Sequence, residues 1–135
     1  MSSVELVRSA TLSDTVPYAY ASVVPAGRLV FTAGASPLDT EGNLVGPDDV
    51  TVQARQVVAN LVEALHAAGA ELTDVAKTTV YVASKWREDL VKVWEIVHEA
   101  FGEHDVPSTL LGVASLGYPE QMVEVEAVAV LPDRA

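Results

Sequence analysis

The chain has no cysteine among its 135 residues, which excludes disulfides and thiolate chemistry. It also lacks any run of about 18 or more apolar residues, so we expect no membrane span. Basic residues are scarce, because 8 Lys and Arg stand against 19 Asp and Glu and give a net charge of −11. A surface of this sign repels phosphate, so neither nucleic acid nor an acidic membrane is an expected partner.

The start of the sequence, Met1 to Glu5, has no basic residues followed by an apolar stretch, so no signal peptide is predicted. Together with the absence of cysteine, this favours a cytoplasmic protein. Half of the residues are hydrophobic, which is enough for a core of ordinary size. No linker, repeat or low-complexity tract interrupts the chain, and we therefore expect a single domain over residues 1–135.

Two stretches have apolar residues at helical spacing. The first follows the negative charges of Asp48 and Asp49 and stops at Gly69, and its apolar residues are Ala54, Val57, Val58, Leu61, Leu65 and Ala68. The second follows Ser84, a candidate N-cap, and stops at Gly102. Its apolar stripe consists of Leu90, Val93, Val97, Ala100 and Phe101.

Alternating or β-branched stretches predict six strands, over residues 4–10, 20–25, 28–33, 75–83, 109–116 and 123–131. Pro25-Ala26-Gly27 predicts a tight turn, so the second and third strands are expected to form a hairpin. The predicted order is β-β-β-α-β-α-β-β, an α+β fold with two helices on one face of the sheet. The other face needs its own cover, which predicts self-association.

The last predicted strand has an unusual second face. Alternation places Val123, Val125, Ala127 and Ala129 on one side, and Glu124, Glu126, Val128 and Val130 on the other. A subunit interface with a cleft at one end would accommodate both valines and carboxylates. Two interpretations remain open: the carboxylates lie at the rim or pair with a lysine or arginine, or one of them lines a cleft and transfers protons. Partial burial would raise its pKa toward a useful range.

Several segments, taken in order, carry a resemblance to a known family. They are PY (17–18), ASVV (21–24), LVFTAG (29–34), QARQVVANL (53–61), AAGA (67–70), DVAKTTVYV (74–82), GVA (112–114) and VEVEA (123–127). Over about residues 5–131 the sequence resembles the Rid (reactive intermediate deaminase, YjgF-type) family, whose members are also called endoribonuclease L-PSP. No single segment is diagnostic, but their combination and order are specific.

The resemblance implies a chorismate-mutase-like fold and a homotrimer whose sheets face a central core. It also implies three clefts at subunit boundaries, each taking a small-molecule substrate or ligand. Active members hydrolyse reactive imines and enamines to keto acids and ammonia without a metal or organic cofactor. The family's carboxylate corresponds to Glu124 here, and its tyrosine corresponds to Tyr18.

The sequence departs from active members at three positions. Ser108 stands where their arginine would fork onto the substrate carboxylate, and residues 104–119 contain no arginine. Glu95 stands where an asparagine is often found, and Ala35 follows Gly34 where relatives often have a glutamine. These changes make the cleft more negative. We therefore expect a neutral or cationic substrate rather than the anionic 2-aminoacrylate type.

Other candidate residues are weaker. His66, His98 and His104 lack zinc-binding spacing, so no metal site is predicted. Ser108 and Thr109 either bond a ligand, supply a nucleophilic hydroxyl with Glu124 as its base, or, following Pro107, satisfy backbone groups at a strand start. Tyr118 either lines the cleft or is an ordinary loop residue. Glu95 either pairs with the final-strand carboxylate or is solvated, and Trp86 and Trp94 are interpreted as packing or interface residues.

Two classes of function follow from these residues. In the first, the protein is a cofactor-independent hydrolase in which Glu124 orients or deprotonates water. Tyr18, Ser108 and Thr109 then shape the cleft, with backbone N–H groups near Gly34 as donors. In the second, it is a non-catalytic trimeric protein that binds a small metabolite. The retained glutamate gives a slight preference to the enzyme, and the acidic composition disfavours a ribonuclease.

Overall fold

A computed structural model describes residues 3–132 of the chain. The strands and helices are β1 (Glu5–Val7), β2 (Ala21–Val23), β3 (Gly27–Phe31), α1 (Val50–Ala67), β4 (Val75–Val82), α2 (Arg87–Phe101), β5 (Ser108–Gly112) and β6 (Val123–Pro132). A short 3-10 turn, Leu72–Asp74, leads into β4. The predicted order β-β-β-α-β-α-β-β is therefore confirmed, and the fold is of the α+β class.

The main sheet has four strands in the order β3-β6-β4-β5. Strands β4 and β5 are parallel, with α2 as the crossover that a parallel pair requires, and the other two pairings are antiparallel. Strands β1 and β2 form a separate two-stranded sheet. Helices α1 and α2 contact each other, and their buried residues join those of β4 and β6 in one core. The helices thus cover one face of the main sheet.

The predicted hairpin of the second and third strands is wrong. Strand β2 pairs with β1, with Ser22 opposite Leu6, whereas β3 pairs with β6, with Val30 opposite Ala129. The ten-residue strand β6 offers β3 a full antiparallel partner, and β2 has only three residues to offer. Gly27 adds to this preference, because a Cβ there would overlap the backbone of β6. The distant pairing therefore outweighs the local turn.

Helix α1 begins and ends as its sequence predicts. The side chain of Asp49 accepts a hydrogen bond from the backbone N–H of Val52 at 3.0 Å, which caps the first turn. Gly69, just beyond the helix, has φ +87°, a backbone conformation that residues other than glycine rarely adopt. The apolar stripe is buried at Ala54, Val57, Leu61 and Leu65.

Ser84 does not occupy the N-cap of α2, which is taken by Trp86. The Ser84 hydroxyl instead accepts a hydrogen bond from the N–H of Trp86 at 3.0 Å and donates one to Asp89 at 2.7 Å. Ser84 therefore stabilises the connection into α2 from a position two residues before the N-cap. The helix stops at Gly102, as predicted.

The final strand has the two faces predicted from its alternation. Val123, Val125, Ala127 and Ala129 are buried under the helices. On the opposite side Glu124, Glu126 and Val128 are partly exposed, whereas Val130 is already buried within the protomer. Three exposed apolar residues of neighbouring strands share this side, namely Leu29, Phe31 and Leu111. We call this side the open sheet face.

Neither helix in the stretch from residue 3 to residue 132 has both the length and the apolar composition needed to cross a membrane. Helix α1 has 18 residues, but buried apolar positions alternate with exposed charged ones such as Arg55 and Glu63. It is therefore an amphipathic helix packed on a sheet.

Candidate functional site

The carboxylate of Glu124 lies in a recess between the start of β6 and the segment that follows β3. Ala35 and Val125 exchange two backbone hydrogen bonds, of 2.7 and 3.2 Å, which hold that segment against β6. Gly34 then passes over the carboxylate, and a Cβ on Gly34 would be 2.5 Å from Oε2 of Glu124. The recess therefore depends on a glycine at position 34, and it keeps Glu124 partly exposed.

One oxygen of Glu124 is held by neutral donors. Its Oε1 accepts hydrogen bonds from the Gln121 side-chain amide at 3.3 Å and from the Ser36 hydroxyl at 3.4 Å. Gln121 is itself buried, donates to Ser36 Oγ at 3.1 Å and to the Val123 carbonyl at 3.0 Å, and accepts from the N–H of Tyr118 at 3.1 Å. This network fixes one side of the carboxylate and leaves the other available.

Gln121 and Ser36 were not singled out in the sequence. Both lie in irregular segments, where neither the helical nor the strand period marks a side chain as inward-facing. The only signal in the sequence was the position of Gln121, which lies three residues before Glu124 in the segment that leads into β6.

Neither carboxylate of the final strand forms an ion pair with a lysine or arginine within residues 3–132. The ion pairs of this part of the chain are those of Asp105, with Arg8 at 3.0 Å and His98 at 3.5 Å. Glu126 instead accepts a short hydrogen bond from the hydroxyl of Tyr81 on β4. That bond raises the pKa of Tyr81 above its ordinary value of 10.0, and partial burial and the carboxylate charges add to the effect.

A second group of predicted residues lines a separate cavity of 420 Å³. Tyr18, Ser108 and Thr109 meet there with three further residues, Pro17, Trp94 and Leu110. The Tyr18 and Trp94 rings are edge to face, with centroids 6.4 Å apart and planes at 88°. The sequence predicted a packing or interface role for Trp94, and the structure places it in the wall of this cavity. The available signal in the sequence was that Trp94 directly follows Val93, a buried residue of the apolar stripe of α2.

The hydroxyls of Ser108 and Thr109 already have partners. Ser108 Oγ lies 2.5 Å from the hydroxyl of Thr78 and donates to the Val106 carbonyl at 3.1 Å. Thr109 Oγ1 accepts a hydrogen bond from the Lys77 ammonium at 2.7 Å. Each oxygen keeps a lone pair, that of Ser108 on the helix side of the sheet and that of Thr109 on the open sheet face. Ser108 also performs the structural task that the sequence analysis gave as the alternative.

The remaining predicted residues are distributed differently. Gly34, Ala35 and Tyr118 line a groove of 490 Å³ beside α1, next to the Glu124 recess. Glu95 is exposed on α2 and lines neither this groove nor the cavity at Trp94. The structure of one protomer therefore does not place Glu95 near Glu124.

The Glu124 recess and the cavity at Trp94 are far apart in one protomer. Ser108 is opposite Thr78 and Glu124 is opposite Tyr81, on the two different neighbours of β4. Three residues along a strand and two strand spacings each correspond to about 10 Å. Ser108 and Glu124 of the same protomer are thus too far apart to hold the same small reacting group.

The histidines have structural surroundings. The buried His104 ring contacts the carbonyl of Val75 through Nε2 at 2.8 Å, and His98 stacks on Trp94 with centroids 5.8 Å apart. Across the described part of the chain no three potential metal ligands come together. Acid–base and hydrogen-bonding chemistry are what the side chains of both cavities offer.

The four-stranded mixed sheet, its two covering helices and the glutamate at the start of the last strand define a class of small α+β proteins with the chorismate-mutase-like, YjgF-type fold. The chain matches the family described as Endoribonuclease L-PSP over residues 12–131. It therefore belongs to this family, which also carries the name Rid.

Similar proteins place the chain within that family. A RutC family protein of Pyrococcus horikoshii is 36% identical over 110 residues, covering 82% of this chain and 85% of the relative. A 2-iminobutanoate/2-iminopropanoate deaminase of Salmonella typhimurium is 35% identical over 115 residues, covering 82% and 86%. The Rid family protein YyfB of Yersinia pestis has a similar crystal structure, with a TM-score of 0.90, 30% identity and coverage of 96% and 99%.

The structure of TdcF of Escherichia coli with bound serine is also similar. Its TM-score is 0.67 at 27% identity, and the match covers 94% of this chain and 98% of that one. Both this neighbour and YyfB span nearly the whole chain, so the matched fold includes both cavities.

Proposed function

We propose that the protein is a cofactor-independent hydrolase of the deaminase type that acts on a reactive imine, enamine or related small metabolite. The observation that carries this proposal is the Glu124 carboxylate, which is fixed on one oxygen by Gln121 and open beneath Gly34 on the other. The relative named 2-iminobutanoate/2-iminopropanoate deaminase supports the same reaction class. The cytoplasm is the proposed location.

Glu124 acts as a general base in this reaction. Its free oxygen accepts a proton from water while the water oxygen bonds to the carbon of the C=N group and the π electron pair moves to nitrogen, and the carboxylic acid then returns that proton to nitrogen to give a carbinolamine. Glu124 next takes the hydroxyl proton and passes it to nitrogen as the C–N bond breaks with its electron pair leaving on nitrogen, which gives a carbonyl compound, ammonia and the free carboxylate. The neutral donors Gln121 and Ser36 orient the carboxylate without neutralising its charge.

The substrate is neutral or cationic at the end where relatives hold a carboxylate. The family resemblance places an arginine at Ser108, and a serine hydroxyl cannot replace a planar, two-pronged cation. A chain of net charge −11 adds a further bias against anions. A standard 2-imino acid would therefore bind weakly, although the hydrolytic step itself is unchanged.

The working unit is a homotrimer with the site at the subunit boundary. Leu29 and Phe31 are exposed on the open sheet face, an apolar surface that a second copy would cover. The two half-sites, the Glu124 recess and the cavity at Trp94, cannot serve one reacting group within a protomer. Assembly would bring the recess of one copy against the cavity of the next, with the bound metabolite between them.

A second function, binding without catalysis, has its own support. The TdcF structure holds serine, a small metabolite, in a protein of the same fold. The absence of an arginine near Ser108 removes an anchor on which active relatives depend. In this case Glu124 would fix a ligand amine or an ordered water and would never transfer a proton.

Replacing Glu124 by Gln separates the two functions, because the amide keeps the shape and loses the base. We expect ammonia release from an enzymatically generated neutral imine to fall about a hundredfold or more in kcat. Glu99→Gln is the matched control, since Glu99 is exposed on α2, lines neither cavity and should keep full turnover. Size-exclusion chromatography checks that both variants keep the assembly of the unmodified protein.

Two results would contradict catalysis by Glu124. Unchanged turnover in Glu124→Gln would show that Glu124 is not the base. If the unmodified protein hydrolyses no imine, binding without catalysis is the remaining function. An RNA-cleavage assay on nuclease-controlled protein tests the ribonuclease activity that the family name suggests, and the acidic composition leads us to expect none.

A further inference from the structure

The cavity at Trp94 has an apolar, uncharged lining. Its six residues are Pro17, Tyr18, Trp94, Ser108, Thr109 and Leu110, of which none carries a charge. The chain has 27 charged side chains of Asp, Glu, Lys and Arg, of which 19 are acidic. A lining without any of them favours uncharged groups over charged ones. A charged group entering this space would lose its hydration without gaining a partner of opposite sign.

The aromatic part of the wall is held in place from behind. The His98 ring stacks on Trp94 with planes at 18°, and His98 Nε2 lies 3.5 Å from Asp105, which also binds Arg8. On the other side Tyr18 meets Trp94 edge to face. Because His98 and Tyr18 hold Trp94 in place, the part of its ring that lines the cavity is a preorganised apolar surface, and little side-chain entropy is lost on binding.

Strand β5 contributes one hydroxyl to the cavity. The hydroxyl of Ser108 lies at the start of the strand and keeps a lone pair after its bonds to Thr78 and Val106. Thr109, the next residue, points its hydroxyl to the open sheet face, where it bonds the Lys77 ammonium, and Lys77 lines a different, smaller cavity there with Phe31 and Glu126. The positive charge of Lys77 therefore lies on the other side of the sheet from the Ser108 hydroxyl.

We propose that this cavity binds an uncharged aromatic group of the ligand, with Trp94 as the residue that determines this specificity. The ring lies against Trp94, and a neutral polar substituent such as an amide bonds the hydroxyl of Ser108. The inference deepens the proposed function, on which it rests, by assigning the substrate an uncharged aromatic side. It does not require turnover, since a binding protein would show the same preference.

Calorimetric titration of the intact protein with three small probes tests the preference. Phenylacetamide is neutral and aromatic, acetamide lacks the ring, and phenylacetate has the ring and a negative charge. We expect phenylacetamide to bind at least about tenfold more tightly than either of the others. Equal affinity for phenylacetamide and acetamide would overturn the proposal, as would tighter binding of phenylacetate that disappears in Lys77→Met.

Tryptophan fluorescence shows where the probe binds. The chain has two tryptophans, and Trp86 is 60% exposed at the start of α2. In Trp86→Phe the remaining emission comes from Trp94, and phenylacetamide should change it in a saturable manner. Saturable binding by calorimetry with no change in this emission would place the probe elsewhere and overturn the assignment.

Two substitutions test the wall directly. Trp94→Leu should weaken phenylacetamide binding about tenfold or more, whereas the matched change Trp86→Leu should leave it unaltered. If Trp94→Leu does not fold, Ser108→Arg gives the same information, because a cation in the wall should reverse the preference in favour of phenylacetate. Unchanged preference in Ser108→Arg would show that this cavity does not hold the probe.

The outcomes also distinguish this inference from the proposed function. Selective binding of phenylacetamide without hydrolysis of any imine would refute the hydrolase and retain the aromatic cavity. Hydrolysis of imines that depends on Glu124, with equal rates for aromatic and methyl side chains, would retain the hydrolase and refute the aromatic cavity.

Discussion

Gly34 lies so close to the carboxylate of Glu124 that a methyl group on Gly34 would come within 2.5 Å of Oε2. The two residues are 90 positions apart in the chain, and the ladder between Ala35 and Val125 brings them together. The glycine does not have a left-handed φ, so its backbone conformation is open to other residues. What position 34 requires is the absence of a side chain, and the reason is the carboxylate beneath it.

Gly34→Ala should therefore impair chemistry more than folding. The added Cβ displaces the Glu124 side chain, and a shift of about 1 Å in a base costs roughly ten- to a hundredfold in kcat. Gly117→Ala is the matched control, because a Cβ at Gly117 meets nothing within 4 Å. The measurements are ammonia release from a neutral imine and the thermal midpoint of both variants. Full turnover in Gly34→Ala would show that the carboxylate position is irrelevant.

The sequence was sufficient to predict the helices and strands, but not the side chains that hold Glu124 in this site. Alternation along β6 correctly placed the valines and alanines under the helices, because burial on one face imposes a period of two. The side chains that hold Glu124, Gln121 and Ser36, lie in loops without such a period. The pairing of β3 with β6 was also missed, because distant strand partners depend on the whole sheet and not on a local turn.

Gln53 is expected to be a main structural support of the loops around the Glu124 recess. Its buried side chain donates to the carbonyls of Gly46 and Glu120, both at 3.0 Å, and accepts from the N–H of Met122 at 2.7 Å. Gln53→Leu leaves these backbone groups without partners, and we expect the free energy of unfolding to fall by about 3 kcal/mol. Urea denaturation at fixed protein concentration measures it.

Gln56→Leu provides the comparison for Gln53. Gln56 lies on the same helix, and within residues 3–132 its side chain bonds Asn60 alone, one turn away, at 2.9 Å. Losing such a pair costs about 0.5 kcal/mol or less. Equal losses of stability in the two variants would mean that the bonds of Gln53 to the loops contribute nothing beyond an ordinary helix contact.

The hydrogen bond from Tyr81 to Glu126 predicts a dependence of stability on pH. That bond holds the pKa of Tyr81 above 10.0 in the folded protein, so the neutral phenol is the form that folding favours. The stabilisation is present in full below the pKa of the unfolded chain, and it is lost as pH rises through the higher folded pKa. The advantage of the unmodified protein over Tyr81→Phe should be constant near neutral pH and shrink in alkali.

Urea denaturation of both proteins, from about pH 7 to about pH 11, measures this difference. Tyr118→Phe is the control, because the exposed Tyr118 ring makes no side-chain hydrogen bond within residues 3–132. Its difference from the unmodified protein is the baseline against which the difference for Tyr81→Phe is compared. An advantage over Tyr81→Phe that grows in alkali would reverse the sign and contradict the assigned bond.

Phe31 tests whether the site needs more than one copy. It is 71% exposed on the open sheet face, where a charge would oppose the contact between copies. Phe31→Glu should lower the mass measured by light scattering from about three times the protomer mass of 14.3 kDa to a single protomer. Val91→Glu, at a 47% exposed position on α2, should leave the mass unchanged.

Turnover should disappear together with the assembly in Phe31→Glu, although this residue lines neither the recess at Glu124 nor the cavity at Trp94. The reason is geometric, since Ser108 and Glu124 of one chain lie on the two different neighbours of β4, and in the proposed homotrimer they would meet across a boundary between copies. A monomeric Phe31→Glu variant with full turnover would place the whole reaction within one chain. The division into two half-sites would then be wrong.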